Sequence, residues 1–204
     1  MEIGCGTGFV LRGIHNEFPE VSLSGTEYLE EGLFCARKKV PSACLKKLNA
    51  LEMNDHQKYD SIGAFDVIEH IENDGLALSN LAKALKRNGC LLITVPQHKW
   101  LWSVTDMNAG HFRRYSRKEL IKKVTGTGLK VEFSTSFVSL LIPFMFLNRL
   151  FLNFKKTDQS EEFLISATLN FTLKSIMYVE ILLIKYGIKI PLGGSLLLVA
   201  RKPQ

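Results

Sequence analysis

Near its start the chain reads Glu2-Ile3-Gly4-Cys5-Gly6-Thr7-Gly8, with a glycine at every second position from Gly4. Glycine has no Cβ and tolerates positive φ, so a backbone of this kind can come close to a ligand. A helix beginning just after it adds unpaired N–H groups and the positive end of a dipole. The chemistry implied is binding of a nucleotide-type ligand. The third glycine comes one residue earlier than in the Gly-x-Gly-x-x-Gly loop of dinucleotide sites. Glu2 beside the loop suits a ligand carrying an ammonium group and would repel a pyrophosphate. Glu27 follows about twenty residues on, where a carboxylate can accept hydrogen bonds from ribose hydroxyls. Tyr28 next to it can pack on an adenine. The competing role for Glu27 is electrostatic, since acids are favoured where a helix begins.

A second group of residues can move protons or hold charge. Histidine as a residue type ionises near neutral pH, so His70 or His111 can accept a hydroxyl proton, as can Glu69. Each histidine has a structural alternative, at a helix start for His70 and in loop ordering for His111. Glu69 and His70 are adjacent and amount to two metal ligands, which is no site, so no metal is expected. Arg113 and Arg114 can clamp a carboxylate or phosphate on a substrate. Alternatively, one of them pairs with Asp106 or Glu69 and orders the loop. Tyr115, Trp100 and Trp102 give that loop apolar faces, for a pocket wall or for the core.

Such residues need a scaffold. The first two-thirds of the chain alternates short apolar runs with helix-like stretches, the pattern of a parallel-sheet α/β domain. Strands are expected at 1–3, 21–26, 43–48, 59–64, 90–95, 129–133 and 195–200, and helices at 9–18, 28–39, about 72–86 and 116–125. Cys90–Val95 is continuously apolar, as in a strand buried on both faces. Arg87-Asn88-Gly89 reads as a turn. Ser116 with Glu119 three residues later has the capping-box pattern. From Phe133 to Asn148 there is no charged residue. That stretch is shorter than the ~20 residues a membrane span needs, and Pro143 interrupts it. It reads first as a buried helical insertion and second as a surface touching a membrane or a lipid-like substrate. A further helix is expected over about 162–186.

Composition agrees with a globular enzyme: 46% hydrophobic and 23% charged residues exclude disorder. The net charge of +6 is scattered in short clusters, with no long basic run, so nucleic acid is not the expected partner. Cys5, Cys35, Cys44 and Cys90 form no C-x-x-C pair and no zinc spacing, and read as reduced thiols of a cytoplasmic protein. No secretory signal follows Met1.

Several segments together resemble the class I S-adenosylmethionine-dependent methyltransferases. Glu2–Gly8 is similar to their first motif, and Gly25-Thr26-Glu27-Tyr28 to their ribose-binding strand end. Tyr59–Ile71 (YDSIGAFDVIEHI) resembles the fourth-strand motif of quinone-biosynthesis-type methyltransferases. Leu85–Val95 and Pro191–Lys202 resemble the later strands. The resemblance implies a Rossmann-like α/β fold with a mostly parallel seven-stranded sheet of order 3-2-1-4-5-7-6, helices on both faces and S-adenosylmethionine as cofactor. It implies one domain over 1–204, shortened at its first strand, with an apolar helical insertion at about 138–186. Carried over, Gly4, Cys5, Gly6 and Gly8 form the loop beside the methionine and ribose. Glu27 holds the ribose, Asn49 and Ala50 sit beside the adenine, and Asp66 and Val67 flank the methyl group. Asn49 stands where the family usually has Asp; its carbonyl can still accept from the adenine amino group. The expected reaction is O- or C-methylation of a small-molecule or lipid-like acceptor, with peripheral membrane contact as a second reading of localisation. A non-catalytic binding or scaffolding relative and a nicotinamide-dependent oxidoreductase are the alternatives.

Overall fold

Apolar β-formers alternate with amphipathic helices along the chain, and in the computed structural model they assemble as one seven-stranded sheet. Residues 1–143, 146 and 167–204 are described. The strands are β1 (Glu2–Ile3), β2 (Ser24–Glu27), β3 (Cys44–Lys47), β4 (Tyr59–Phe65), β5 (Leu85–Pro96), β6 (Lys130–Phe137) and β7 (Ser195–Arg201). Their order is β3-β2-β1-β4-β5-β7-β6, as the resemblance implied. β1 pairs in parallel with β2 and β4, β2 with β3, and β4 with β5; β7 runs antiparallel between β5 and β6. The helices are α1 (Phe9–Glu17), α2 (Glu30–Lys39), α3 (Asp74–Ala84), α4 (Val104–Asn108), α5 (Arg117–Thr125) and α6 (Ala167–Lys185).

The main core lies where the sheet meets α3 and α5. Leu91, Ile93 and Val95 of β5 and Leu196 and Leu198 of β7 are fully buried against Leu78, Leu81, Leu120 and Val124. β5 was expected to be buried on both faces, but Cys90, Leu92 and Thr94 on its other face are only half-buried. A smaller cluster of Cys5, Leu11, Ala36 and Val40 packs α1 and α2 behind the glycine loop.

Local chemistry moved some boundaries. Residues 87–89 do not form a free turn. They lie inside β5 as a bulge, where the pairing slips from Tyr59–Leu85 to Ser61–Cys90 and Asn88 takes φ +61°. The bulge persists because the Asn88 N–H donates to the Lys202 carbonyl and the Lys202 N–H to the Gly89 carbonyl. The Lys202 ammonium then caps the carbonyls of Ala82, Lys83 and Leu85 where α3 ends. At α5 only half of the expected capping box forms. Ser116 accepts from the Glu119 N–H, while the Glu119 carboxylate pairs with Lys99. The complete box belongs to α4, where Ser103 and Asp106 cap each other reciprocally. Asp106 is fixed by that exchange.

Within the apolar stretch 133–148, residues 133–137 extend β6. Residues 144, 145 and 147–166, part of the insertion expected at about 138–186, lie outside the described residues. Among the α6 residues whose burial is described, only Glu180 is fully buried, and its Oε1 accepts from the N–H groups of Ser139 and Leu140 at 2.6 and 2.7 Å. Among the described residues no helix is long and apolar enough to cross a membrane.

Candidate functional site

The carboxyl ends of β1 to β4 open onto one cleft of about 640 Å³, within the ~300–1,000 Å³ usual for small-molecule sites. It lies where the strand order reverses, between β1 and β4, the general ligand position of open α/β sheets. Gly4, Glu27, Tyr28, Asn49, Ala50, Asp66, Val67 and His70 all line it.

The glycine loop is built by close approach. Gly4, Gly6 and Gly8 have φ of +62°, +50° and +81°. A Cβ on Gly4 would lie 2.7 Å from a methyl of Val67, so β1 and the end of β4 meet only because that atom is missing. A Cβ on Gly8 would lie 2.9 Å from the Ala36 Cα, so Gly8 sets the approach of α2. The Gly6 N–H donates to Glu27 Oε2 at 2.8 Å, and Glu27 Oε1 accepts from the N–H groups of Tyr28 and Leu29. Glu27 therefore ties the loop to the start of α2 while facing the cleft. Three of its roughly four lone-pair directions are taken, leaving one for a ligand hydroxyl.

On the next wall, the Asn49 Oδ1 accepts from the Leu51 N–H at 3.0 Å. Buried Asn80 on α3 donates to the carbonyls of Ala50 and Leu51 and fixes this segment. Asn80 went unnoticed in the sequence because a single Asn within a helix carries no local signal. Leu29, Leu48, Leu51 and Ile71 give the cleft its apolar faces, and the sequence reading singled out none of them as a site residue.

At the end of β4, Asp66 adopts φ +53° and its N–H donates to both the carbonyl and the hydroxyl oxygen of Thr94. Positive φ in a non-glycine residue costs energy and persists where surrounding contacts enforce it. Burial raises the Asp66 pKa, opposed by the Thr94 contact and the nearby histidines.

Other expected site residues sit behind the cleft. Glu2 is buried in β1, away from the lining, with burial raising its pKa to about 7 and the Leu11 N–H acting against the rise. Cys5 is packed against α1 and α2, and burial pushes its thiol up to about 11. Arg114 is buried and donates to Asp106 at 2.7 Å and to the Gln97 carbonyl. Arg113 pairs with Asp74 and donates to the Glu72 carbonyl. Tyr115 is buried and donates to Asp74 at 2.7 Å, while Lys123 meets the other Asp74 oxygen. Arg113 and Tyr115 fasten the loop after β5 to Asp74 of α3, and Arg114 fastens it to Asp106 of α4, the kind of loop ordering weighed as the alternative for the arginines. Trp100 and Trp102 are exposed and lie outside the cleft lining.

That fastened loop brings His111 to His70, with ring centroids 4.5 Å apart and edge to face. The Phe112 N–H donates to the Glu69 carbonyl, and Ala109 and Phe112 complete the cleft wall. His111 Nδ1 lies 3.0 Å from Asp106 Oδ1. The Glu69 side chain is fully buried, neither carboxylate oxygen has a partner among the described residues, and burial raises its pKa to about 8. Burial also lowers the His70 pKa, with His111 adding to the effect.

A parallel-sheet Rossmann-like fold with β7 antiparallel and a glycine-lined cleft at the switch point defines the class I methyltransferase architecture. Residues 1–91 match the family described as a methyltransferase domain. The fold is that of the class I methyltransferases, and the matched segment spans the glycine loop, Glu27, Asn49 and the end of β4. Over 98 residues it is 24% identical to trans-aconitate 2-methyltransferase of Methylobacterium nodulans, a match covering 48% of this chain and 38% of that protein. Among solved structures it superposes over its whole length on 48% of phosphoethanolamine N-methyltransferase 2 of Haemonchus contortus, solved with S-adenosyl-L-methionine (TM-score 0.66, 19% identity). It also covers 89% of an S-adenosylmethionine-dependent methyltransferase from Mesorhizobium loti with 98% of its own length (0.64, 15%). The [4+2]-cyclase SpnF is a further neighbour, with 99% of this chain on 74% of that one (0.66, 16%). Fold alone therefore leaves the reaction open.

Proposed function

We propose that the chain is an S-adenosylmethionine-dependent methyltransferase acting on a small or lipid-like acceptor at oxygen or carbon. The observation that carries this reading is the single cleft joining Gly4, Glu27, Asn49, Ala50, Asp66 and Val67 to His70. The residues fit the cofactor: the glycine positions keep side chains out of the cradle, Glu27 retains a free acceptor direction, and Leu29, Leu48 and Leu51 offer apolar faces to a base.

When bound, S-adenosylmethionine supplies an activated methyl group on a sulfonium, so the protein's main task is alignment. Gly4 and Val67 set the width of the cleft, and Glu27 and Asn49 orient a ribose and an adenine. Asp66, held rigid by Thr94, places a carboxyl at the far end. His70 stands beside it, with His111 behind, and either can take a proton from an acceptor hydroxyl. Arg113, Arg114 and Tyr115 hold the loop that carries His111 and so act on the acceptor indirectly.

The apolar acceptor has its own support. A chamber of about 300 Å³ between the sheet and α6 is lined by Phe137, Met177, Ile181, Ile184 and Leu197, and it includes Thr94. Thr94 is the residue that fixes Asp66.

The test is formation of S-adenosylhomocysteine during incubation with phenolic, carboxylic and prenyl-tailed acceptors. Turnover with one class, reduced at least ~10-fold in His70→Ala, supports the reading. The absence of turnover with all three, in a chain that folds but does not bind the cofactor, overturns it.

A further inference from the structure

We propose that Glu69, His70 and His111 form a binding site for one divalent transition-metal ion, at the edge of the cleft. Their ligand atoms lie within 4.8 Å of one another. Around a tetrahedral ion with bonds of ~2.0–2.1 Å the ligand atoms stand about 3.4 Å apart, so small side-chain rotations close the site.

The independent observation is Glu69. Its carboxyl group is fully buried, and both oxygens lack a partner among the described residues. Buried polar groups are almost always satisfied, so an unpartnered pair of oxygens facing two imidazoles needs a reason. A cation supplies one. The surrounding charge agrees with a dication: Asp66 and Asp106 are further carboxyl groups near Glu69, and Arg114 is a nearby cation, already paired with Asp106.

The outer contacts have the form of a metal site. His111 presents Nδ1 to Asp106, which leaves Nε2 as its ligand atom, the carboxylate–histidine arrangement that fixes tautomer and ring orientation. Asp106 is itself held by Ser103 and Arg114. The carbonyls of Gly110 and Ala109 face the His70 ring. Two imidazoles and one carboxylate suit Zn²⁺, Co²⁺ or Fe²⁺ and exclude Mg²⁺ as a preferred ion. Three protein ligands leave an open position, and His70 is the one of the three that lines the cleft. The matching acceptor class is one with an ionisable oxygen, a phenol, enol or carboxylic acid, whose anion the ion would bind. That acceptor assignment rests on the methyltransferase reading; the metal site does not.

The experiment is titration of the chelator-treated 204-residue chain with Co²⁺, followed by visible d–d absorption. Near-ultraviolet thiolate bands report any cysteine ligation instead. Loss of an outer contact to a metal-bound histidine costs ~10–100-fold, so loss of a direct ligand should cost at least ~100-fold. We expect one ion per chain at micromolar affinity or tighter, weakened that much in His70→Ala and His111→Ala. Glu69→Gln keeps the side chain's shape and should weaken binding at least ~10-fold with an unchanged circular dichroism spectrum. Absence of a saturable d–d band, or a band that survives in the His70→Ala/His111→Ala double variant, overturns the site. S-adenosylmethionine titration of the same proteins separates the two claims. Cofactor binding without cobalt binding removes only the metal site, and cobalt binding without cofactor binding removes only the methyltransferase reading.

Discussion

Replacing Gly4 by alanine probes the cradle directly. Two separable costs arise. At φ +62° an alanine is in the left-handed region, worth ~1–2 kcal/mol. The new Cβ would also stand 2.7 and 2.9 Å from the two Val67 methyls. Carbon atoms rest at about 3.5–4.0 Å, so β1 and the end of β4 must part by close to 1 Å, a form of overpacking that costs ~1–3 kcal/mol. The expected loss is therefore ~2–5 kcal/mol by urea unfolding. Gly6→Ala is the internal control. It has φ +50° but nothing within 4 Å of the added Cβ, so only the ~1–2 kcal/mol backbone cost applies. Val67→Ala in the Gly4→Ala background should recover the steric part and give a coupling energy of ~1–3 kcal/mol in a double-mutant cycle. Equal losses in Gly4→Ala and Gly6→Ala, or no coupling to Val67, would refute the claim that close approach at Gly4 shapes the cleft.

Glu2 gives a pH prediction. Its folded pKa of about 7 lies above the usual 4.5, so the folded state holds more protons and stability falls as pH rises between these values. The loss is at most ~3 kcal/mol, and Glu2→Gln should flatten the stability curve over that window; an unchanged slope counts against it. Arg114→Ala leaves the Asp106 carboxylate buried without its main partner, so unfolding should become easier by ~3–5 kcal/mol, while Asp106→Asn/Arg114→Met recovers much of this. Asn80→Ala strands the Ala50 and Leu51 carbonyls at a cost of ~1–3 kcal/mol and should weaken S-adenosylmethionine binding, which calorimetry would show; unaltered affinity would mean that the wall at residues 49–51 does not need Asn80.

The sheet was legible because its strands are short apolar runs bounded by turn residues, and the motifs around Gly4, Glu27 and Asp66 fixed their order by resemblance. Boundaries slipped where distant partners intervene. The Arg87-Asn88-Gly89 segment reads as a turn, yet Lys202, more than a hundred residues away, holds it inside β5. α4 was missed although Ser103-x-x-Asp106 is a capping signal, because five residues show no periodicity. Cleft residues on the glycine loop and strand ends could be named from sequence. Glu2 could not be placed, since its position next to the loop says nothing about which face of β1 it takes. For the arginines the sequence offered Asp106 or Glu69 as a partner, and Arg114 takes Asp106; Asp74, the partner of Arg113, became visible only when the loop folded back on α3. The same folding brought His111 to Glu69 and His70, a grouping that adjacency along the chain could not reveal.

The central claim is that this cleft binds S-adenosylmethionine, and isothermal titration of the folded chain with that molecule and with S-adenosylhomocysteine tests it most directly. The account predicts one site per chain with micromolar affinity for both, weakened at least ~10-fold in Asp66→Ala and in Gly4→Ala. A folded chain that takes up neither ligand, or binds both as well after those substitutions, would contradict it.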